Sequence, residues 1–425
     1  MKQEDKIIAI LLTFLLMLCL PAHPVFASEQ DDFSVAAKAA ISVDEETGKI
    51  LYEQNSDQVL AIASTTKLLS MYIVEKEIKA GKLSWEDTVD IPDDIAELSL
   101  NSDLSNVPLY TDQTYTVKDL FHAAAIESAN AATQALAIKV AGSENKFVDK
   151  MQAELKILGI TDTKIVNSTG LPNEYLEDLY PGSSKKDENK MSAKDLAILT
   201  RHLLKEFPDF LTVSSIATET FAAQTDHPYE MESFNKMLAD LSEEKAGVDG
   251  LKTGTTDLAG ACFVGTIKHE NQRIITVVLN ASNHEKDEAA RFKETSKLMD
   301  FSLSQWQEKT VLQAGSVIPE HANVAVENGK KLTSTVIAGE DINLWLPKDI
   351  SADTVDYKVK LDNVRAPVKK NQQMGTVTAT VSADKYGFLP DENSPEEVKL
   401  LSKDANPKAN ILVRAWRAIK EFVEK

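Results

Sequence analysis

Hydrophobic and polar positions along this chain fall into three textures. At the start of the first, apolar and β-branched residues flank a turn cluster at Glu45 to Gly48, which predicts two strands, Ala36 to Val43 and Ile50 to Gln54. A helical block follows, with helices predicted from Ser64 to about Lys82, then Val117 to Ala125, Ala129 to Val140, and Glu144 to Leu158. One more, Ser192 to Glu206, has Ser192 as its N-cap and stops ahead of Pro208. Strands return at Ala261 to Lys268 and Arg273 to Leu279, before a helix from about Glu288 to Ser304. Strands at both ends with helices inserted between them predict an α+β unit, a mixed sheet carrying a helical lobe.

From about Lys309 the texture changes to short runs such as Thr310-Val311-Leu312, Val324-Ala325-Val326 and Ile342-Asn343-Leu344-Trp345-Leu346, with turn formers between them. This predicts a small antiparallel β domain. No long linker separates it from the first unit, so the two are expected to pack closely, the second serving as spacer or stalk. A third texture closes the chain. Ile411 to Lys425 places Leu412, Ala415, Trp416, Ile419, Phe422 and Val423 on one helical face, with Arg414, Arg417, Lys420 and Lys425 elsewhere. A basic amphipathic helix with an interfacial Trp suits an anionic membrane surface, so peripheral membrane contact is expected there.

The amino terminus carries Lys2 and Lys6, an apolar run from Ile7 to Leu20, then Pro21 and the small-residue site Val25-Phe26-Ala27. This reads as a secretory signal peptide cut after Ala27; the run falls short of the ~20 residues that span a bilayer. The expected organisation is therefore residues 1–27 signal peptide, 28–308 the α+β unit, 309–406 β domain and 407–425 amphipathic helix. The protein is expected outside the cytoplasm, at the outer face of the membrane.

Charge and cysteines narrow the chemistry. The 425 residues carry 66 acidic against 46 basic side chains, a formal charge of −20, which argues against a nucleic-acid partner. An anionic substrate would need a local positive site rather than a global field. Of the two cysteines, Cys19 leaves with the signal peptide and Cys262, in the apolar run Ala261 to Val264, is expected to be a small buried hydrophobe. None of the seven histidines makes a local ligand or base pattern, so neither a metal nor another cofactor is implied.

Three short motifs carry the candidate chemistry: Ser64-Thr65-Thr66-Lys67, Ser128-Ala129-Asn130 and Lys252-Thr253-Gly254-Thr255. Each is weak alone. Ser-x-x-Lys recurs at Ser143, Ser183, Ser233, Ser242 and Ser382, in polar surroundings that a solvated helix face or turn explains. Only Ser64 opens a stretch rich in apolar residues, Leu68 to Val74. Ser-x-Asn recurs at Ser99, Ser143 and Ser233, whereas Lys-Thr-Gly occurs once.

In this order the set is the signature of penicillin-binding proteins and class A β-lactamases. The chain resembles the low-molecular-mass D-alanyl-D-alanine carboxypeptidases, serine peptidases of family S11 that trim peptidoglycan stem peptides. Ala40 to Tyr52 is similar to that family's first hairpin, Tyr115 to Leu120 to its run into the second motif, and Asn167-Ser168-Thr169-Gly170-Leu171-Pro172 to a characteristic turn. The likeness covers roughly residues 35 to 305 and departs at Ala131, where such enzymes often carry Asp. It implies a β-lactamase/transpeptidase-like catalytic domain over residues 28–308, stem peptides ending in D-Ala-D-Ala as substrate, β-lactams as inhibitors, and a place at the outer face of the membrane or in the cell wall.

The residues suit that chemistry. Three apart on a helix, Ser64 and Lys67 share a face, and a buried lysine of lowered pKa can activate the serine as base. Ser128 is expected to relay a proton to the leaving amine, in a hydrogen-bond network with Lys67 and Lys252. Asn130 would hold Lys67 through its carbonyl and a substrate amide through its nitrogen. Lys252, Thr253 and Thr255 on an edge strand would take the substrate carboxylate, with Gly254 leaving room for its backbone. The Ser64 and Thr255 N–H groups would form the oxyanion hole. A transpeptidase, a β-lactamase, and a non-catalytic wall-binding module are the alternatives. Glu97-Leu98-Ser99-Leu100-Asn101 matches the string bearing the class A deacylating glutamate, but it precedes Ser-x-Asn instead of following it and reads as a loop or helix-end coincidence.

Overall fold

The computed structural model describes residues 33–424 apart from 177–178, 271, 319, 349–353, 382–383 and 391–396. The signal-peptide reading of residues 1–27 lies outside the described residues, as does Ser382. Five strands form the central sheet: β1 (Ala37–Asp44), β2 (Ile50–Gln54), β3 (Val248–Thr256), β4 (Gly260–His269) and β5 (Gln272–Ala281), in the order β2-β1-β5-β4-β3. Every pairing in it is antiparallel, which corrects the expected mixed sheet. The reason is topological. Tight turns join β1 to β2 and β3 through β5, and the long helical insert leaves from one edge strand and returns at the other, so no parallel crossover arises.

Alternation along the strands supplies two cores. Ile41, Val43, Val264, Ile275 and Val277 face the helical lobe, while Phe263, Ile267 and Ile274 meet Phe292 and Met299 of α7 (Ala290–Gln305) on the other side. The lobe contains α1 (Lys67–Lys79), α2 (Asp93–Ser99), α3 (Val117–Ile126), α4 (Asn130–Ala141), α5 (Glu144–Ile157) and α6 (Ala193–Glu206). Thr116 and Ser192 close capping boxes at α3 and α6. Ser143 accepts a hydrogen bond from the Lys146 N–H at the head of α5, so that Ser-x-x-Lys is a helix cap. Glu97 lies in the last turn of α2, a helix end, one of the two settings expected of it beside a loop.

The second domain comprises β6 (Trp306–Leu312), β7 (Asn323–Glu327), β8 (Thr333–Ala338), β9 (Ile342–Pro347), β10 (Val355–Leu361), β11 (Val364–Arg365), β12 (Gln373–Val381) and β13 (Val398–Ser402). β6 pairs with β9, and the rest form one sheet, β10-β12-β13-β8-β7-β11, antiparallel except for the short β7–β11 pairing. The two domains pack closely. Trp306, Trp345 and Tyr386 join the core beneath α7 and Leu51. Residues 384–389 return to the β1–β2 turn, where Lys49 Nζ donates to Asp384 Oδ1 at 2.8 Å and to the Gly387 carbonyl at 2.9 Å. Leu389 itself joins the catalytic core.

Helix α8 (Ile411–Glu424) ends the chain. Arg417 donates to the Gly329 and Lys330 carbonyls of the β domain, while Leu412, Trp416, Ile419 and Phe422 are all more than half exposed. Among the described residues, no helix is long and apolar enough to cross a membrane.

Candidate active site

From Ala61 to Val74 every residue is buried except Ser64, which is half-buried. The expected single helix from Ser64 is instead a 3-10 turn, Ala63–Thr66, running into α1. Ala63 has φ +46°, and the Thr65 N–H and Oγ1 both donate to the Ile62 carbonyl, at 3.2 and 2.7 Å, which tightens the turn. With three residues per turn, Ser64 and Lys67 still share a face.

Lys67 is fully buried, with its Nζ 2.9 Å from Ser64 Oγ and donating at 2.7 Å to Asn130 Oδ1 and 2.8 Å to the Thr169 carbonyl. Burial, and next the nearby Lys252, push its pKa well below the ordinary lysine value. The two carbonyl oxygens can only accept. A neutral Lys67 therefore spends both N–H bonds on them and aims its lone pair at the Ser64 hydroxyl.

Ser128 precedes α4 with φ +59°, a left-handed conformation rarely adopted by a side-chain-bearing residue. It lines the cleft with Ser64, yet among the described residues no hydrogen bond joins it to Lys67 or Lys252. That corrects the expected network: Lys67 has three other partners, and Lys252 Nζ turns to the Thr253 carbonyl at 3.3 Å. Asn130 is the first residue of α4. Its Nδ2 donates to the Ser105 carbonyl at 2.9 Å, which fixes the amide orientation and leaves one N–H for a substrate. Asn106 Oδ1 accepts from the Ala131 N–H at 2.9 Å, a local support at the position where the family's Asp is missing.

The Lys-Thr-Gly segment lies on edge strand β3, with Lys252 and Thr253 buried. Burial, then repulsion from Arg291, lowers the Lys252 pKa to about 7, against an opposing pull from Glu127. A Cβ added to Gly254 would meet the Ile62 carbonyl oxygen at 2.8 Å and the Ser64 and Thr65 nitrogens at 3.0 Å. The glycine thus makes room for the nucleophile turn, not for the substrate backbone as expected. Strand and turn touch there, which brings the Ser64 N–H beside Gly254.

Three further groups complete the site. Arg291 of α7 donates to the Gly254 carbonyl at 2.9 Å and to Thr255 Oγ1 at 2.7 Å, adding a cation beside Lys252. Gly170 packs on the carbonyl of Ala63, so tightly that a Cβ would lie 1.9 Å from that oxygen. Asn189 links the Asn167 carbonyl at 2.8 Å to Thr66 Oγ1 at 3.2 Å, tying the Asn167–Gly170 turn to the nucleophile. The cleft over these residues measures about 640 Å³ and extends from Ser64, Ser128 and Thr253 past Arg291 to Phe234 and Phe292. Cys262 lies beneath it, free and buried.

A five-stranded sheet with a helical lobe, a buried Ser–Lys pair and a Lys-Thr-Gly edge strand define a transpeptidase-like catalytic domain, followed here by a β-rich domain. Residues 25–283 match the model of the peptidase S11 family, D-alanyl-D-alanine carboxypeptidase, and residues 306–408 that of the penicillin-binding protein 5 C-terminal domain. The chain belongs to this family of D-alanyl-D-alanine carboxypeptidases, the low-molecular-mass penicillin-binding proteins. It is 29% identical over 367 residues to the D-alanyl-D-alanine carboxypeptidase DacF of Bacillus subtilis, an alignment spanning 85% of this chain and 87% of the relative. A crystal structure of a peptidoglycan synthesis regulatory factor (PBP3) from Streptococcus pneumoniae superposes with TM-score 0.75 at 38% identity, covering 88% of this chain and all of that one. The ampicillin-bound penicillin-binding protein D2 of Listeria monocytogenes is 32% identical, with TM-score 0.52 over 64% of this chain and 99% of its own.

Proposed function

We propose that the protein is a serine-type D-Ala-D-Ala carboxypeptidase, removing the terminal D-alanine of peptidoglycan stem peptides in cell-wall biosynthesis and remodelling. The observation that carries this reading is the bonding of Lys67, whose two carbonyl partners leave its lone pair for the Ser64 hydroxyl 2.9 Å away. Ser64 Oγ attacks the carbonyl carbon of the penultimate D-Ala and passes its proton to Lys67 Nζ. The Ser64 and Thr255 N–H groups receive the oxyanion. As the C–N bond breaks, Ser128, which lines the cleft beside Ser64, hands a proton to the departing amine; the proton it regains from Lys67 requires a Ser128–Lys67 contact that forms only with substrate in the cleft. Water then cleaves the ester by the reverse proton path.

Lys252 and Arg291, with the Thr253 and Thr255 hydroxyls, supply the local positive site that a terminal carboxylate needs on an acidic protein. Asn130 keeps one N–H for a substrate amide. β-Lactams acylate the same serine, as the ampicillin-bound Listeria relative suggests. Export after cleavage at Ala27, and peripheral attachment through the outward apolar face of α8, put the enzyme at the outer face of the membrane.

The test is to incubate the mature protein and Ser64→Ala with diacetyl-Lys-D-Ala-D-Ala and to measure free D-Ala. Release by wild type alone is the expected result. A folded protein that binds penicillin at Ser64 but releases no D-Ala would overturn the carboxypeptidase reading in favour of a transpeptidase.

A further inference from the structure

We propose that Glu144 is a positioning residue for acylation, acting through Ser168 on the Thr169 carbonyl that orients Lys67; the role rests on the Ser64–Lys67 reading above. Glu144 opens α5 and is 6% exposed. Its Oε1 accepts from the Ser168 N–H at 2.6 Å and its Oε2 from Ser168 Oγ at 3.0 Å. From the opposite side Ser70, one turn beyond Lys67 on α1, donates its hydroxyl to the Ser168 carbonyl at 2.6 Å. All three polar groups of Ser168 are thereby held. The next carbonyl in the chain is that of Thr169, 2.8 Å from Lys67 Nζ.

That carbonyl is one of the two acceptors that direct the Lys67 lone pair toward Ser64. If it drifts, the amine rotates and the lone pair leaves the hydroxyl. Burying a carboxylate is costly unless it is paired, and among the described residues Glu144 makes no ion pair. Its two bonds both go to one residue of the turn beside the base, so what the buried acid secures is a position. Nothing in this geometry touches the substrate cleft.

Reach and charge separate in two variants. Glu144→Gln keeps the side-chain length; its amide can accept from the Ser168 N–H and donate to the hydroxyl. Glu144→Asp keeps the charge but withdraws the carboxylate by one methylene. Stopped-flow labelling with a fluorescent penicillin resolves the acylation rate constant from the initial binding constant, with thermal melts run alongside. The Asp variant is expected to acylate at least about tenfold more slowly with binding unchanged, and the Gln variant to stay within about threefold of wild type. Ser70→Ala, which frees Ser168 from its other side, is expected to slow acylation in the same sense should the Asp variant not fold. Wild-type rates in Glu144→Asp or Ser70→Ala, or equal losses in Asp and Gln, would overturn the role. A wild-type protein that takes up no penicillin at Ser64 would instead overturn the proposed function, and this role with it.

Discussion

Gly254→Ala tests whether the glycine serves the nucleophile turn or the substrate. The added Cβ would lie 2.8 Å from the Ile62 carbonyl oxygen and 3.0 Å from two backbone nitrogens, against comfortable contacts of about 3.5 Å. Relief therefore requires a displacement of about half an ångström. No side chain can swing aside, because all three neighbours are backbone, and the turn is braced from behind where Ala63 packs on Gly170. Overpacking of this kind costs about 1–3 kcal/mol. The same shift moves Ser64 relative to Thr255 and Lys252; since about 1 Å of misplacement can cost a hundredfold, roughly a tenfold loss in acylation is expected. Thermal melts and the rate of covalent labelling by a fluorescent penicillin measure both quantities. A variant that melts like wild type and labels at the wild-type maximal rate, but binds penicillin more weakly, would refute the packing argument and restore the substrate explanation.

Three further outcomes are expected. The folded-state pKa of Lys252 is depressed to about 7 from 10.5, so the unfolded chain binds a proton the folded one lacks between those values; stability should rise as pH climbs through that window. Lys252→Met should remove part of that slope and be the more stable protein at pH 7; equal slopes in denaturant melts would count against the shift. Lys49→Met strips the partner from Asp384 and removes the Nζ bonds to residues 384–387 while the backbone bonds of Ile50 and Leu389 remain, which should cost about 3 kcal/mol and ease proteolysis of that segment. Trp416→Asp with Phe422→Asp should abolish sedimentation of the mature protein with anionic lipid vesicles while leaving D-Ala release intact; unchanged sedimentation would remove the membrane role of α8.

The legible parts of this molecule are those written locally. Ser64 and Lys67 are three apart, so their meeting needs only one turn of helix, whether 3-10 or α. The helices of the lobe other than α2, and the strands β4 and β5, follow from apolar periodicity, and Ser192 caps α6 as its spacing requires; α2, two turns long, carries too short a pattern to be read. The strand directions did not follow, because an insert of nearly two hundred residues between β2 and β3 carries no signal for which edge it returns to. Thr169 was equally hidden: it acts through a backbone carbonyl, which every residue possesses. Arg291 sits in a helix with no motif around it, and its relation to Thr255 exists only because α7 packs across the sheet.

Two of the corrected readings, the helix opening at Ser64 and the network around Ser128, lie where local rules are broken. Ala63 and Ser128 hold left-handed backbone at φ +46° and +59°, and Gly170 at φ +82° is wedged against Ala63. Such conformations cost of order 1–3 kcal/mol for a non-glycine residue and persist only when the surroundings over-determine them. Around Ala63 the surroundings are the Asn167–Gly170 turn and Asn189, joined through buried amides, and the edge strand, whose Gly254 lies against Ile62 and Ser64. The same polar scaffold that fixes the strained turns also excludes water from Lys67, and it is this exclusion, more than the second lysine, that lowers its pKa. A substitution that loosens any member should therefore act on the base first and on substrate binding second. The separation of acylation rate from binding constant is the quantity in which that order becomes visible.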